Sequence, residues 1–278
     1  MVNGLPFQDV LGGTLGREQI LSRIISLPEC GVKLSAEEIL QMSPEDRPRE
    51  LDHYRSNGYI IIDPPIDKGR LDPDLPSCLV SQSSLDVEMG DACRVYCPPD
   101  GGPDATVLRP SDKASLELFE RQCTELKSIG SDGYRLRPGE FILARTQRYY
   151  FLPTQIQAHI WGRSRVARCG VEIHLTAPRI DPGFAGQIVL EICNHNMVPV
   201  MLEPGFEIAQ LEFQRVFGGT GKGYADSKPQ LHSRQGLMKH ALAPDPREAE
   251  NGMGLGEFSE EALLMLLEKT PWLDGPKL

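Results

Sequence analysis

The residues best suited to chemistry lie between Trp161 and Phe213 of a 278-residue chain. Gly162-Arg163-Ser164-Arg165-Val166-Ala167-Arg168 sets three guanidiniums and one hydroxyl within six residues. A planar guanidinium presents paired N–H donors that match two oxygens of a phosphate or carboxylate. Charged clusters are most often solvated faces, but this one sits between a tryptophan and the apolar stretch from Cys169 to Leu175, which favours oxyanion binding. Farther on, Gln187 to Ile192 reads as a strand with Ile188, Leu190 and Ile192 on one face and Gln187, Val189 and Glu191 on the other. Glu191 therefore points away from the apolar face. Its surroundings are solvent, an arginine, or a pocket where partial desolvation raises its pKa enough for proton exchange near neutrality. Asp181, ahead of Pro182-Gly183, needs no role beyond bonding the amides of that turn.

Several other chemistries are excluded. The chain has no H-x-E with P-C-x-x-C, which removes a zinc-dependent nucleobase deaminase. G-x-x-x-x-G-K-[ST], G-x-S-x-G and H-E-x-x-H are also missing. Gly219-Thr220-Gly221-Lys222-Gly223 resembles a phosphate loop but lacks the strand and helix that would frame one. Cys93 and Cys97 form the one close cysteine pair; with no second pair nearby they read as structural thiols rather than zinc ligands. The odd count of seven scattered cysteines predicts reduced thiols. With 39 acidic against 29 basic residues the net charge is -10, which argues against a general hold on nucleic acid, so any anion site is local. No apolar run reaches the ~18 to 20 residues of a membrane helix, and the N-terminus lacks signal-peptide order, so the expectation is a soluble cytoplasmic protein.

The elements that must position these residues are mainly strands. Ile20, Leu21, Ile24 and Ile25 recur at helical spacing and predict a helix from about Arg17 to Leu27. Ser35 with Glu38 has capping-box spacing, and Ser43-Pro44 offers a second cap. Tyr59 to Ile62 is a β-branched run stopped by Asp63-Pro64-Pro65. Leu85, Val87 and Met89 alternate with Asp86 and Glu88, as a half-buried strand does. Residues 98–113 read as a loop and Ala114 to Leu126 as a helix beside the sheet. Pro138-Gly139, Pro182-Gly183 and Pro204-Gly205 each predict a type II turn between apolar segments. Short strands punctuated this way indicate an antiparallel sandwich, jelly roll or barrel. Beyond Phe213 the glycine-rich stretch reads as a tail, with a last short helix capped by Ser259.

The run from Gly162 to Glu191, G-R-S-R-V-A-R-C-G-V-E-I-H-L-T-A-P-R-I-D-P-G-F-A-G-Q-I-V-L-E, resembles the core signature of the dCTP deaminase branch of the dUTPase superfamily. The similarity extends through Pro204-Gly205-Phe206 and Gln210-Leu211-Glu212-Phe213, and back through Pro138-Gly139-Glu140-Phe141 and Ser84-Leu85-Asp86-Val87. The resemblance implies a distorted jelly-roll or β-barrel with short peripheral helices, assembled as a homotrimer with interfacial sites. It divides the chain into an N-terminal arm and helical segment (1–55), a barrel core (56–217), a nucleotide-closing tail (218–240) and a C-terminal extension (241–278).

By position, the resemblance assigns Glu191 as the general acid/base, with Ser164 and Arg168 supporting catalysis. Arg163, Ser164, Arg165, Val166, Ala167 and Arg168 fall on the triphosphate-binding stretch. Ala177, Asp181 and the backbone of Val189 and Leu190 fall at the sugar and base. Tyr224, Lys228 and either Gln230 or Gln235 fall in the closing tail. The implied substrate is dCTP or a related deoxynucleoside triphosphate, with Mg2+ carried by its phosphates, no zinc, and no nucleic-acid or membrane partner. Two positions depart from the family pattern: Arg165 replaces a common second serine, and Pro178 replaces a histidine of some members. The function implied is deamination of dCTP to dUTP and ammonia. The same scaffold also admits dUTP diphosphatase or bifunctional activity, or a catalytically silent regulatory homologue.

Overall fold

The computed structural model describes residues 13–43, 46–98, 102 and 107–217. Thirteen strands and five α-helices follow in order: β1 (Gly13–Thr14), α1 (Arg17–Leu21), β2 (Ile24–Ser26), α2 (Ala36–Gln41), α3 (Arg49–Ser56), β3 (Ile60–Asp63), β4 (Ser84–Tyr96), α4 (Lys113–Cys123), β5 (Thr124–Ser128), β6 (Tyr134–Leu136), β7 (Phe141–Phe151), β8 (Ile156–Gly162), α5 (Ser164–Arg168), β9 (Val171–Glu172), β10 (Arg179–Ile180), β11 (Ala185–Asn194), β12 (Val200–Leu202) and β13 (Glu207–Arg215). The main sheet path is β10-β8-β13-β4-β7-β11-β9, with β1 on β13, β3 on β7 and β5 on β4. Every pairing is antiparallel except β2 with β3.

The long strand β4 joins the two halves of this sheet. Residues 84–88 pair with β13, and from Met89 onward the partner is β7. Just past this change, within the register shift between Met89 and Cys93, Gly90 lies so close to β7 that an added Cβ would be 3.0 Å from the Arg145 carbonyl oxygen and 3.1 Å from that of Thr146. Glycine suits this close approach, since a side chain here would require the β7 backbone to shift by a few tenths of an ångström. The three Pro-Gly turns form as the sequence predicts: Gly139, Gly183 and Gly205 have φ of 72°, 78° and 78°, and Glu140, Phe184 and Phe206 donate their amides back across the turns.

One core fills the space between the strands, with Leu85, Leu190, Leu211 and Phe213 fully enclosed. A second cluster lies under α2 and α3 and includes Ile39, Leu51, Ile61, Phe151 and Ala185. Alternation along β3 serves both: Ile60 and Ile62 enter the first, Ile61 the second. Ser35 caps α2 by accepting the Glu38 amide, and the Glu38 carboxylate accepts from the Ser35 amide and hydroxyl. Buried Arg55 ties α3 to the turn that carries Asp181, donating to the carbonyls of Leu152 at 3.1 Å and Gly183 at 2.9 Å.

Three local expectations change. The helix expected from Arg17 to Leu27 ends at Leu21, because Ile24 to Ser26 pair in parallel with Ile60 to Ile62, where β-branched side chains fit a sheet. The helix expected to reach Leu126 ends at Cys123, and Thr124 to Ser128 pair with β4. Glu88 is buried rather than turned to solvent. Pro44, part of the expected loop, the glycine-rich tail from Gly218 and the Ser259 helix lie outside the described residues. Truncating Leu211, at the centre of β13, should cost about 2 to 5 kcal/mol of stability, as read from the chemical-denaturation midpoint of Leu211→Ala.

Candidate active site

Glu191 is held by a strand whose register is fixed from both ends. Near its start, β11 carries a bulge between Gln187 and Val189, where the buried Thr146 hydroxyl accepts the Ile188 amide at 3.0 Å and donates to the Arg148 carbonyl at 2.8 Å. Gln187 donates to the Thr146 carbonyl at 2.8 Å. At the other end Asn194 is wholly buried and donates to the Leu136 and Val198 carbonyls. Between these anchors Glu191 faces Leu143 of β7 across the ladder and is half-buried. Its Oε2 accepts the Leu175 amide at 3.0 Å. Of the three surroundings the sequence allowed, the arginine-paired one is not formed among the described residues. Burial pushes the Tyr96 phenol up to about 12, opposed by Arg94 and reinforced by Glu191, so Tyr96 is a neutral group in the neighbourhood of this carboxylate.

Helix α5 carries the hydroxyl and the arginines beside the C-terminal end of β11. Its exit passes through Gly170 at φ 74°, where an added Cβ would lie 3.0 Å from the Asn196 Cβ. Asn196 donates to the Cys169 carbonyl at 3.0 Å and the His195 amide donates to Gly170 at 2.8 Å. The next residues form β9, paired with Cys193 and Asn194 of β11. Beyond that short pairing, no strand among the described residues covers the outer edge of β11. Ser164, Arg165, Ala167 and Arg168 are exposed on α5, whereas Val166 is a core side chain. Leu190 is likewise core, so both it and Val166 have only backbone to offer a ligand. Val189 is half-buried and Ala177 exposed. Asp181 pairs with Arg179 at 3.0 Å, a contact the sequence did not indicate. Pro178 costs no ladder bond, since its carbonyl accepts the Ile160 amide at 2.9 Å and the pairing of β10 begins one residue later. Tyr224, Lys228, Gln230 and Gln235 lie outside the described residues.

Arg163 has partners inside its own chain. Its Nη2 lies 3.3 Å from Asp86 Oδ2, and its Nη1 bonds Glu207 Oε2. Glu207 Oε1 bonds Arg70, Arg70 bonds Glu88 Oε1, and Glu88 Oε2 forms an ion pair with Arg148. Three carboxylates thus alternate with three guanidiniums in one chain of contacts. Burial pushes the Asp86 carboxyl above its ordinary value, opposed by Arg163, and burial lowers the Arg148 pKa. The sequence pattern placed Asp86 and Glu88 on the polar face of a strand but gave no sign of the partners Arg70, Arg148 and Glu207. The one available signal was the recurrence of acids on β4 and β13 within apolar runs. Among the described residues no group of three or more His, Cys, Asp or Glu side chains could hold a metal ion.

The chain is a mainly antiparallel β protein that sets an exposed Arg-Ser helix beside a strand-borne glutamate. Within that class the chain belongs to the dCTP deaminase-like family, whose model matches residues 47–216. A dCTP deaminase of Tolumonas auensis is 31% identical over 198 residues, covering 71% of this chain and 97% of that relative. A dUMP-forming dCTP deaminase of Methanoculleus marisnigri is 40% identical over 146 residues, covering 52% of this chain and 72% of that relative. Among solved structures, the 2'-deoxycytidine 5'-triphosphate deaminase of Agrobacterium tumefaciens superposes with a TM-score of 0.38 at 21% identity, covering 52% of this chain and 43% of that one.

Two outcomes test this geometry. Arg148→Met leaves the buried Glu88 with one arginine instead of two and should cost about 3 kcal/mol of stability; the double variant Arg148→Met/Glu88→Met should recover most of that in chemical denaturation. Burial raises the Cys30 and Cys93 thiols to about 11, so at pH 8 their thiolate fraction is about a thousandth. Iodoacetamide with peptide mapping should accordingly find exposed Cys169, next to Arg168, alkylated before either.

Proposed function

We propose that the protein is a zinc-independent dCTP deaminase that converts magnesium-bound dCTP and water to dUTP and ammonia. The carrying observation is the half-buried Glu191 carboxylate, with Oε2 fixed by the Leu175 amide and its strand edge uncovered, beside a helix exposing Ser164, Arg165 and Arg168. In this reading the Leu175 amide orients the carboxylate and leaves Oε1 to take a proton from water. The resulting hydroxide adds at cytosine C4 while Glu191 gives that proton to the ring nitrogen; the carboxylate then takes the proton of the new C4 hydroxyl and passes it to the amine, which leaves as ammonia as the C4 carbonyl forms. Ser164 and Arg168 support the developing charge, and Arg165 adds a cation to the phosphate grip, opposite in kind to the small hydroxyl common in the family. The backbone of Val189 and Leu190 faces the base, with Ala177 and Asp181 at the sugar. Tyr224, Lys228 and Gln230 or Gln235 come from a tail, residues 218–240, that closes over the nucleotide and excludes water. The active unit is a homotrimer in the cytoplasm, and residues 241–278 are an extension to the catalytic core.

A second reading is favoured by the relatives named dUMP-forming, 33% to 40% identical. The same site would then consume two waters and release dUMP, ammonia and pyrophosphate, with Asp181 orienting the second water. Incubation of the protein with dCTP and magnesium, followed by separation of the products, decides between the two: dUTP for the first, dUMP and pyrophosphate for the second. For either, Glu191→Gln should lower ammonia release by about 10²-fold or more while nucleotide binding changes little. Unchanged turnover in that variant removes Glu191 from the reaction.

A further inference from the structure

We infer that Glu207 is a positioning residue that fixes the start of α5 through Arg163, so that Arg163 belongs to the frame of the site rather than to its grip on phosphate. The inference builds on the deaminase reading above. Strand β8 ends at Gly162, which pairs with Ala209 of β13, and the Arg163 amide reaches the Ile208 carbonyl at 3.4 Å. Arg163 is the residue at which this strand turns into α5, and its carbonyl accepts the first helical bond, from the Ala167 amide at 2.9 Å. Whatever holds Arg163 holds the neighbouring Ser164 and, one turn later, Arg168.

A five-residue helix cannot hold itself, because nucleating a turn costs more than so few hydrogen bonds return. The Arg163 side chain supplies the missing constraint by bonding carboxylates from two strands, Asp86 of β4 and Glu207 of β13. Glu207 is the more consequential of the two because it also bonds Arg70, whose other partner is the buried Glu88. Glu207 and Glu88 are directly opposed across the β4–β13 ladder, a like-charge placement that is unfavourable unless a cation lies between them. Arg70 fills that place and passes the anchoring inward to Arg148 on β7. With both its terminal nitrogens committed to carboxylates, Arg163 is drawn toward the barrel, whereas Arg165 and Arg168 stand exposed on the helix itself.

The test compares the full-length protein with Glu207→Gln, which keeps size but removes charge, and with Arg163→Gln. Hydrogen exchange of the amides of residues 164–168 should be faster in both variants, and this readout does not depend on the reaction. In steady-state assays kcat for ammonia release should fall about 10- to 100-fold in each. KM for dCTP should move by less than about threefold, and the double variant should be no slower than either single one. Four results would overturn the inference: unchanged exchange in α5, unchanged kcat in Glu207→Gln, additive losses in the double variant, or a large rise in KM with kcat preserved in Arg163→Gln, which would return Arg163 to the phosphate grip. If the unaltered protein releases no ammonia from dCTP, the deaminase reading fails by itself, and the exchange measurement still decides whether Glu207 orders α5.

Discussion

The structure turns on the alternation of Asp86, Arg163, Glu207, Arg70, Glu88 and Arg148 at the junction of β4, β7, β8 and β13. Glu88 is 4% exposed and faces Glu207 across an antiparallel ladder. Burying a carboxylate opposite another is costly unless each oxygen meets a cation, and each oxygen of both glutamates does. The arrangement is charge-balanced, three against three, and so fits beside a core that is otherwise mostly apolar. Its energetic return is small compared with the cost of breaking it, as for buried ion pairs generally. Its larger consequence is geometric, since it pins segments that are far apart in sequence to one another.

The second constraint is the crossing of β4 between Glu88 and Met89. By passing from β13 to β7 there, β4 brings the strand that carries Glu191 and the strand that leads into Ser164 into one continuous sheet path. The bulge in β11, bonded through Thr146, and the buried Asn194 then set where Glu191 falls along its strand. A slip of one residue would turn the acid into the core and expose Leu190 or Ile192 in its place.

Electrostatically the protein separates its functions by place. An acidic chain of net charge -10 keeps exposed guanidiniums on α5 while spending others on internal carboxylates. The two departures from the family pattern are local in consequence. Pro178 sits where its missing N–H is not required, and Arg165 is exposed, so neither disturbs the framework around it.

The sequence by itself determined the strand-rich class, the three Pro-Gly turns, the Ser35 cap, the outward direction of Glu191 and the dense Arg-Ser stretch. These are set by backbone sterics and by side-chain spacing over a few residues, which a sequence displays directly. It misjudged residues 24–26 and 124–126, whose local period suits a helix but which become strands once partners from β3 and β4 lie alongside. It also placed Glu88 on the polar face of a strand and gave no sign of the charged partners of Glu88 or Arg163. Only the tertiary structure decided those, because the partners of Glu88 and Arg163 come from positions 70, 86, 148 and 207, brought together by strand pairing, and the free energy of a charge depends on which opposite charge shares its burial.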